Sequence, residues 1–479
     1  MLHEAHRVTP YSFSSRCIVH RGLRAAACAS CVPDSGSVLC RQRAPSPTLA
    51  ASKQPSPSPT VPQQPPHPST PDNSCISQST DTGDTDIFDS HVHTPATVSA
   101  SQMISEMDKA GVSVSLLYTD ASSSLSSISQ YPGRFITFVD TPDSPQPSTW
   151  LTQGQAFVTS AEEQLKTGKY YGIGEANLRY YSGPGVPVPP PNIYVPADTP
   201  VWLQLVDLSA RYHVPISFHF VPDDPVANAA FERMLSHNKD AIPIWSHLGF
   251  NNMPLNSTAL NDYLLRYPHL YFDTAGIQGM QKPGSNWDHL MPNGKLSEEW
   301  KQFFETWNAR ILLASDAGGG QNGLERWLNY ESNTSDGAPP NSIGHWKSLL
   351  SYLDYNSARN ILSANSRELF LKEQRPPYDY SISSDGKCYS ISVSSNSSVS
   401  GLAFDRDTRA VTFTVAGSIG TTGSATITIP TTLVRGNFTA QVDGQSVQIK
   451  EMSNAAYTTI SLEYAGGIRA ITLGATDTG

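Results

Sequence analysis

The chain has 479 residues and a formal charge of −10, which is too long for one compact core, since single cores stop growing near roughly 250–300 residues. The acidic balance, with no basic stripe in the part that reads as folded, leaves no electrostatic footprint for nucleic acid or an anionic membrane surface. No run of about 18 apolar residues occurs, which excludes a bilayer-spanning helix.

Two folded units and a tail are expected. Residues 1–83 read as a disordered leader and linker: 1–44 are Arg-rich and nearly free of acids, and 45–72 are a Pro/Ser/Gln stretch with too little apolar surface to order itself. A tether of this kind suits an exported protein, so an extracellular or cell-envelope location is expected, although Arg16, His20, Arg21 and Arg24 interrupt any signal-peptide core. Five of the six cysteines (Cys17, Cys28, Cys31, Cys40 and Cys75) fall in the first 75 residues. The Cys28-x-x-Cys31 pair has no second pair to complete a zinc site, and these cysteines read as incidental to a tail.

From residue 84 to 373, short apolar β-branched runs alternate with longer amphipathic stretches, the pattern of βα units around a parallel sheet. The candidate strands are DIFDS (86–90), VSVSLLY (112–118), RFITFVD (134–140), YYGIGEA (170–176), VPISFHF (214–220), AIPIWSH (241–247), LYFDTAG (270–276) and ILLASDA (311–317). Eight strands is the number a (β/α)8 TIM barrel needs. Between them, Ser99 with Gln102 forms a capping box for a helix that stops at Gly111. After Lys372 the texture becomes short Thr/Val/Ser/Ile strands with Gly and Asp turns, seven or so in about 90 residues, among them an Asp443-Gly444 hairpin signal. Residues 374–479 are therefore expected to form an immunoglobulin-like β-sandwich. It is similar to small sandwich modules of cell-surface proteins, which implies a cell-surface or polymer contact.

The chemistry is carried by Asp89-Ser90-His91-Val92-His93 at the first strand. Side chains alternate along extended chain, so His91 and His93 face one side, and two imidazoles on one face suit zinc or a neighbouring divalent metal. His219, His247 and Asp316 end the fifth, sixth and eighth candidate strands, and Glu175 lies on the fourth. Barrel active sites draw on the ends of several strands because side chains meet only there. Asp89 and Asp273 are candidates to orient the histidines from behind.

This order of residues over 84–373, with GIGEANLRYY and the closing NSARNILSANSRELF, resembles the amidohydrolase superfamily, in its amidohydrolase-related and TatD-like branches. The resemblance implies a metal-dependent hydrolase with one or two divalent ions, zinc foremost and Mn, Fe, Ni or Co as alternatives. His91 and His93 with Asp316 would hold the more buried ion, and His219 with His247 a second. Glu175 either bridges two ions or anchors one from behind, which leaves the metal count open. Asp316 and His247 are the candidate catalytic pair, Asp316 taking a proton from a water whose pKa the ion lowers toward about 7. Arg179 is a candidate for an anionic group of a small-molecule substrate, or a surface arginine capping its loop. The loops 184–200 and 280–294 are expected to wall the pocket, with Tyr194 and Trp287 lining it. Hydrolysis of a small ester, lactone, amide or phosphoester is the leading expectation. The alternatives are a metal-dependent decarboxylase and an inactive surface-binding protein.

Overall fold

The computed structural model describes residue 75 and residues 86–94, 98–118, 121–141, 147–180, 193–249, 254–277, 286–318 and 343–476. The leader, the Cys28/Cys31 pair and most of the Pro-rich stretch lie outside them, as do 184–192 and 280–285 of the two expected loops. Among the described residues no helix is long and apolar enough to cross a membrane.

The first part is mixed α/β. Strands β1 (Ile87–His93), β2 (Val112–Tyr118) and β3 (Phe135–Thr137) form one parallel sheet. A second sheet runs in the order β5 (Ile193–Tyr194), β4 (Ile173–Tyr180), β6 (Pro215–Phe220), β7 (Ile242–Trp245), β8 (Tyr271–Asp273), β9 (Ile311–Leu312). All its pairs are parallel except β4 with β5. Each candidate strand has a counterpart, and β5 is additional.

Backbone hydrogen bonds continue past both sheet edges. Val139 N donates to Gly172 O at 2.8 Å and Gly174 N to Val139 O at 3.0 Å, joining the end of β3 to β4. On the other side Ser90 N donates to Leu313 O at 2.9 Å and His93 N to Ala317 O at 2.7 Å, joining the segment after β9 back to β1. One buried cluster collects Phe88, Leu116, Phe138, Ile244 and Leu312 from or beside five different strands, together with Phe370 from the closing helical segment. A larger cluster packs the helices against the strands.

Local signals explain the helix ends. Helix Ala100–Ala110 carries the expected capping box, Ser99 Oγ accepting from Gln102 N and Gln102 accepting from Ser99 N, and it stops at Gly111 with φ 76°. Gly174 has φ 130°, and a Cβ there would stand 2.7 Å from Ser217 O, so only glycine lets β4 approach β6 so closely.

The C-terminal part is two five-stranded antiparallel sheets. One runs β10 (Tyr378–Ser384), β11 (Lys387–Ser395), β14 (Thr422–Pro430), β18 (Tyr457–Ala465), β17 (Ile449–Ser453). The other runs β12 (Ser398–Asp405), β13 (Ala410–Ala416), β19 (Ile468–Thr476), β15 (Asn437–Val442), β16 (Gln445–Val447). Ten strands replace the seven or so expected. FTAQVDGQSVQI divides among β15, β16 and the start of β17, while β10 hides its alternation in Tyr378, Tyr380 and Ile382 behind Pro376-Pro377. The turns Asp385-Gly386 and Asp443-Gly444 both have positive φ at both residues, as a two-residue hairpin connection requires.

One cysteine reading is corrected. Cys75 is not incidental: it forms a disulfide with Cys388 at a Cα–Cα distance of 5.4 Å, tying the segment before β1 to β11. Spacing alone could not pair residues 313 apart in sequence.

The C-terminal sheets meet the first part through a polar seam. Asn308 is fully buried, donates to Glu305 O and Val399 O at 2.7 and 3.0 Å, and accepts from Asn360 Nδ2 at 2.8 Å and Tyr378 OH at 3.0 Å. Asn356 pairs with the Asp379 backbone in both directions, at 2.9 and 3.0 Å. In the same seam Glu305 accepts from Asp354 N at 3.1 Å. Burial, reinforced by the Asp354 carboxylate, pushes the Glu305 carboxyl from the usual 4.5 up to about 7. A carboxyl whose pKa is raised in the fold holds its proton better when folded than when unfolded, so stability falls as pH rises through that window and levels off above it. We expect wild type to lose about 2 kcal/mol of stability between pH 5 and 8 from this group. The Glu305→Gln variant should lack that loss. Urea unfolding at both pH values checks it, and an equal loss in the variant refutes it.

Candidate metal centre

The six residues expected to converge do so. β1 carries His91 and His93, whose Nε2 atoms lie 3.1 Å apart. β4 contributes Glu175, with carboxylate oxygens 3.4 Å from His91 Nε2, 3.7 Å from His93 Nε2, 3.5 Å from His219 Nδ1 and 3.1 Å from His247 Nε2. Asp316 Oδ1 lies 4.0 Å from His91 Nε2 and 3.6 Å from His93 Nε2. His219 Nδ1 lies 3.0 Å from His247 Nε2. Among the described residues, two triads offer ligand atoms all within 4.8 Å of one another: His91, Glu175 and His247, and His91, His93 and Asp316.

Backbone geometry aims two of them. His247 does not end its strand as expected. β7 stops at Trp245, and His247, Leu248 and Gly249 follow with φ of 61°, 48° and 70°. Asp316 has φ 59° just beyond β9 and donates its N–H to His91 O at 2.9 Å. A non-glycine residue in the left-handed region costs about 1–3 kcal/mol and persists only where its surroundings hold it, as they commonly do at functional sites. Behind both lies Gly276, with φ 68°. A Cβ there would stand 3.0 Å from Asp316 Oδ2 and 3.4 Å from His247 Nδ1.

The histidine tautomers follow from their outer partners. His91 Nδ1 lies 3.0 Å from Asp273 Oδ2, and His247 Nδ1 2.9 Å from Ala275 O. A carboxylate or carbonyl accepts a hydrogen bond from Nδ1–H, which keeps the proton on Nδ1 and turns the Nε2 lone pairs of both rings inward. Asp273 Oδ1 also accepts from His247 N at 2.8 Å and Ala275 N at 3.1 Å. Asp89 Oδ1 accepts from His91 N at 3.3 Å and Ser315 N at 2.9 Å. Both carboxylates are buried.

Burial opposes charge on these groups, and their mutual fields overcome it in three cases. His91 is held well above the ordinary imidazole range because the Glu175 and Asp273 carboxylates outweigh its burial. Glu175 lies well below the carboxylate range because His91 and hydrogen bonds from three histidines outweigh its own. His247 is raised, chiefly by Glu175 against burial, whereas burial dominates at His219 and lowers it.

The donor set fits a divalent cation. Nitrogen lone pairs face one another at 3.0 and 3.1 Å around one carboxylate, and His219 Nε2 is buried without a hydrogen-bond partner. Imidazole nitrogens and carboxylate oxygens in this proportion suit zinc or a neighbouring transition metal.

The expected substrate contacts are arranged differently. Arg179 spends its fork on Asp223, Nε to Oδ1 at 2.8 Å and NH2 to Oδ2 at 2.9 Å. Its guanidinium carbon lies 5.4 Å from the centre of the Tyr194 ring. Trp287 is buried, and its described ring contacts are with His345 and Trp346, at 5.7 and 5.6 Å. Two aromatic residues were not anticipated. Tyr118 is buried with its ring 4.6 Å from that of His91 and 5.7 Å from that of His93, and the Tyr180 ring is 5.0 Å from His219. Burial, and then the nearby Asp273 charge, push the Tyr118 hydroxyl well above its usual range. Its position at the end of β2, in register with His93, was the available signal.

No family model and no curated protein matches the sequence. Among solved structures, the chain is similar to one described as a probable 2-pyrone-4,6-dicarboxylic acid hydrolase from Acinetobacter baumannii with citric acid bound, at 16% identity over 59% of this chain and 98% of that one, TM-score 0.37. It is also similar to 2,6-dihydroxybenzoate decarboxylase from Rhizobium, at 13% identity over 60% and 99%, TM-score 0.33. A third is an amidohydrolase from Burkholderia multivorans with bound zinc, at 10% identity over 60% and 99%, TM-score 0.34. These neighbours are amidohydrolase-superfamily proteins.

Asp273 offers the sharpest test of the geometry. Asp273→Ala should lower zinc affinity by about 10- to 100-fold, since it releases the ring of one histidine and the backbone of another. Asp273→Asn, which keeps an acceptor, should fall between. Zinc titration against a competing chelator measures both, and unchanged affinity in Asp273→Ala would rule out the orienting role.

Proposed function

We propose that residues 84–373 form a closed (β/α)8 barrel that hydrolyses a small ester, lactone, amide or phosphoester with the help of one or two divalent ions, zinc foremost. The observation that carries this reading is the meeting of donor atoms from β1, β4 and the turns after β7 and β9 in two overlapping triads, beside which His219 of β6 places its Nδ1 3.5 Å from Glu175. The barrel is supported by the backbone hydrogen bonds beyond both sheet edges and by the cluster that draws on five strands.

When bound, a divalent ion supplies Lewis acidity and an activated water. The protein's own groups do the rest. Asp273 and the Ala275 carbonyl fix the histidine tautomers, and Glu175 supplies negative charge at the centre of the histidines. Asp316, held at the rim by its left-handed backbone, takes the proton of the attacking water and returns it to the leaving group, with His247 beside it.

The Arg179–Asp223 pair weighs against the one arginine expected to seat a substrate carboxylate in a decarboxylase. Its Nε–Nη2 edge, the one a side-on bidentate contact with a carboxylate would use, is on Asp223. Export is supported by the Cys75–Cys388 disulfide, because such bonds persist in oxidising compartments. Residues 374–479 serve as an accessory β-sandwich.

Metal analysis by plasma mass spectrometry is the test, on wild type and a His91→Ala/His93→Ala variant, alongside an ester, lactone, amide and phosphoester panel. Wild type should carry one or two divalent equivalents that the variant loses together with activity. If wild type binds no divalent metal after reconstitution, the hydrolase reading fails.

A further inference from the structure

The two ends of the C-terminal sheets differ in what they meet. Contacts to the α/β part come from one end: Tyr378 and Asp379, Ser398 and Val399, and Ser418, whose Oγ donates to Leu264 O at 2.6 Å. The strand registers place Ser384 and Lys387, Asp405 and Ala410, and the β14–β15 connection at the opposite end. There a cleft of about 600 Å³ opens, a volume in the range of small-ligand sites.

Its lining includes Lys387, Arg409, Arg435, Tyr389, Thr431 and Thr432, and no acidic residue is among the described residues that line it. Three cations therefore converge in a chain whose overall charge is −10. Backbone carbonyls hold two of them in place: Arg409 donates to Arg435 O at 2.6 Å and Arg435 to Thr431 O at 3.1 Å. Lys387 and Arg435 are exposed and have no carboxylate partner among the described residues.

We propose that this outer cleft binds an anionic polysaccharide through its carboxylate or sulfate groups. Arginine and lysine supply charge-assisted donors for an oxyanion, the Tyr389 ring offers a flat apolar face to a sugar ring, and the threonine hydroxyls suit sugar hydroxyls. The Cys75–Cys388 disulfide lies beside it, Cys388 standing between the lining residues Lys387 and Tyr389. The cleft lies at the end of the C-terminal sheets opposite the polar seam and would anchor the protein on a matrix. This inference is independent of the proposed hydrolysis.

The test uses the full chain and measures binding to immobilised polygalacturonate, chondroitin sulfate and neutral dextran at about 150 mM salt, where exposed charges more than about 8 Å apart are screened. Wild type should bind at least one of the two acidic polymers and not dextran, and the two acidic arms separate carboxylate from sulfate preference. Lys387→Ala/Arg435→Ala should weaken that binding by about tenfold or more. Tyr389→Ala should weaken it by a smaller factor. Lys450→Ala, an exposed lysine on β17 outside the cleft, should change nothing. Circular dichroism melts verify that each variant folds. No preference over dextran, an equal loss in Lys450→Ala, no loss in the double variant, or duplex DNA binding as tight as the acidic polymers would each overturn the proposal.

Discussion

The buried Asp273 carboxylate is the constraint on which the site depends. One oxygen meets the ring of His91 and the other the backbone of His247, so a single side chain on β8 sets the orientation of ligands arriving from β1 and from the turn after β7. Each accepted hydrogen bond involves an ionised group, the class that contributes about 1.5–3 kcal/mol. Desolvation of such a carboxylate is expensive unless all its lone pairs are used, and the Ala275 N–H takes up a further share. The same carboxylate explains why His247 sits in a left-handed turn. Continuing β7 as regular strand would carry the His247 N–H away from Asp273, and the imidazole with it.

A cluster of four histidines around one glutamate is an unstable arrangement for neutral rings alone. Nitrogen atoms at 3.0 and 3.1 Å must share protons or a cation, and the outer nitrogen of His219, Nε2, is buried without a hydrogen-bond partner. The Glu175 carboxylate favours a proton on His91 and the positive charge of His91 favours an ionised Glu175, which is why their pKa values move in opposite directions. A divalent ion would relieve the same conflict without the proton. Binding and protonation therefore compete for the same inward lone pairs, with the Tyr118 and Tyr180 rings packed beside His91 and His219.

Much of the architecture was legible because its signals are local. Alternating apolar runs marked each of the eight strands, Ser99/Gln102 and Gly111 marked a helix, and the residues that meet at the centre could be named from their places at strand ends. What escaped depends on distance or on context. The pairing of Cys75 with Cys388 spans 313 positions, and no spacing rule reaches so far. The commitment of Arg179 to Asp223 requires β4 to lie beside β6, so its reading as a substrate contact overlooked a partner 44 residues away. Tyr118, the last residue of an apolar strand, carries no sequence signal of its own that singles it out. The ten-stranded count was missed for a subtler reason, because Tyr378 and Tyr380 fill apolar positions of β10 while using their hydroxyls at the seam.

That seam also bears on how the two parts behave together. Asn308 satisfies both its amide donors and its carbonyl across the junction, reaching Val399 and Tyr378 on one side and Glu305 and Asn360 on the other. A polar junction of this kind is specific rather than adhesive: fully satisfied, it fixes one arrangement, and with a member missing it leaves several buried groups unpaired. The Cys75–Cys388 bond adds a second tie that does not pass through the seam, from the segment before β1 to β11 near the outer cleft. The C-terminal sheets are thus tied at one end by hydrogen bonds and near the other by a covalent link to Cys75. The two ties rest on different chemistry, so a missing member of the seam leaves the disulfide in place.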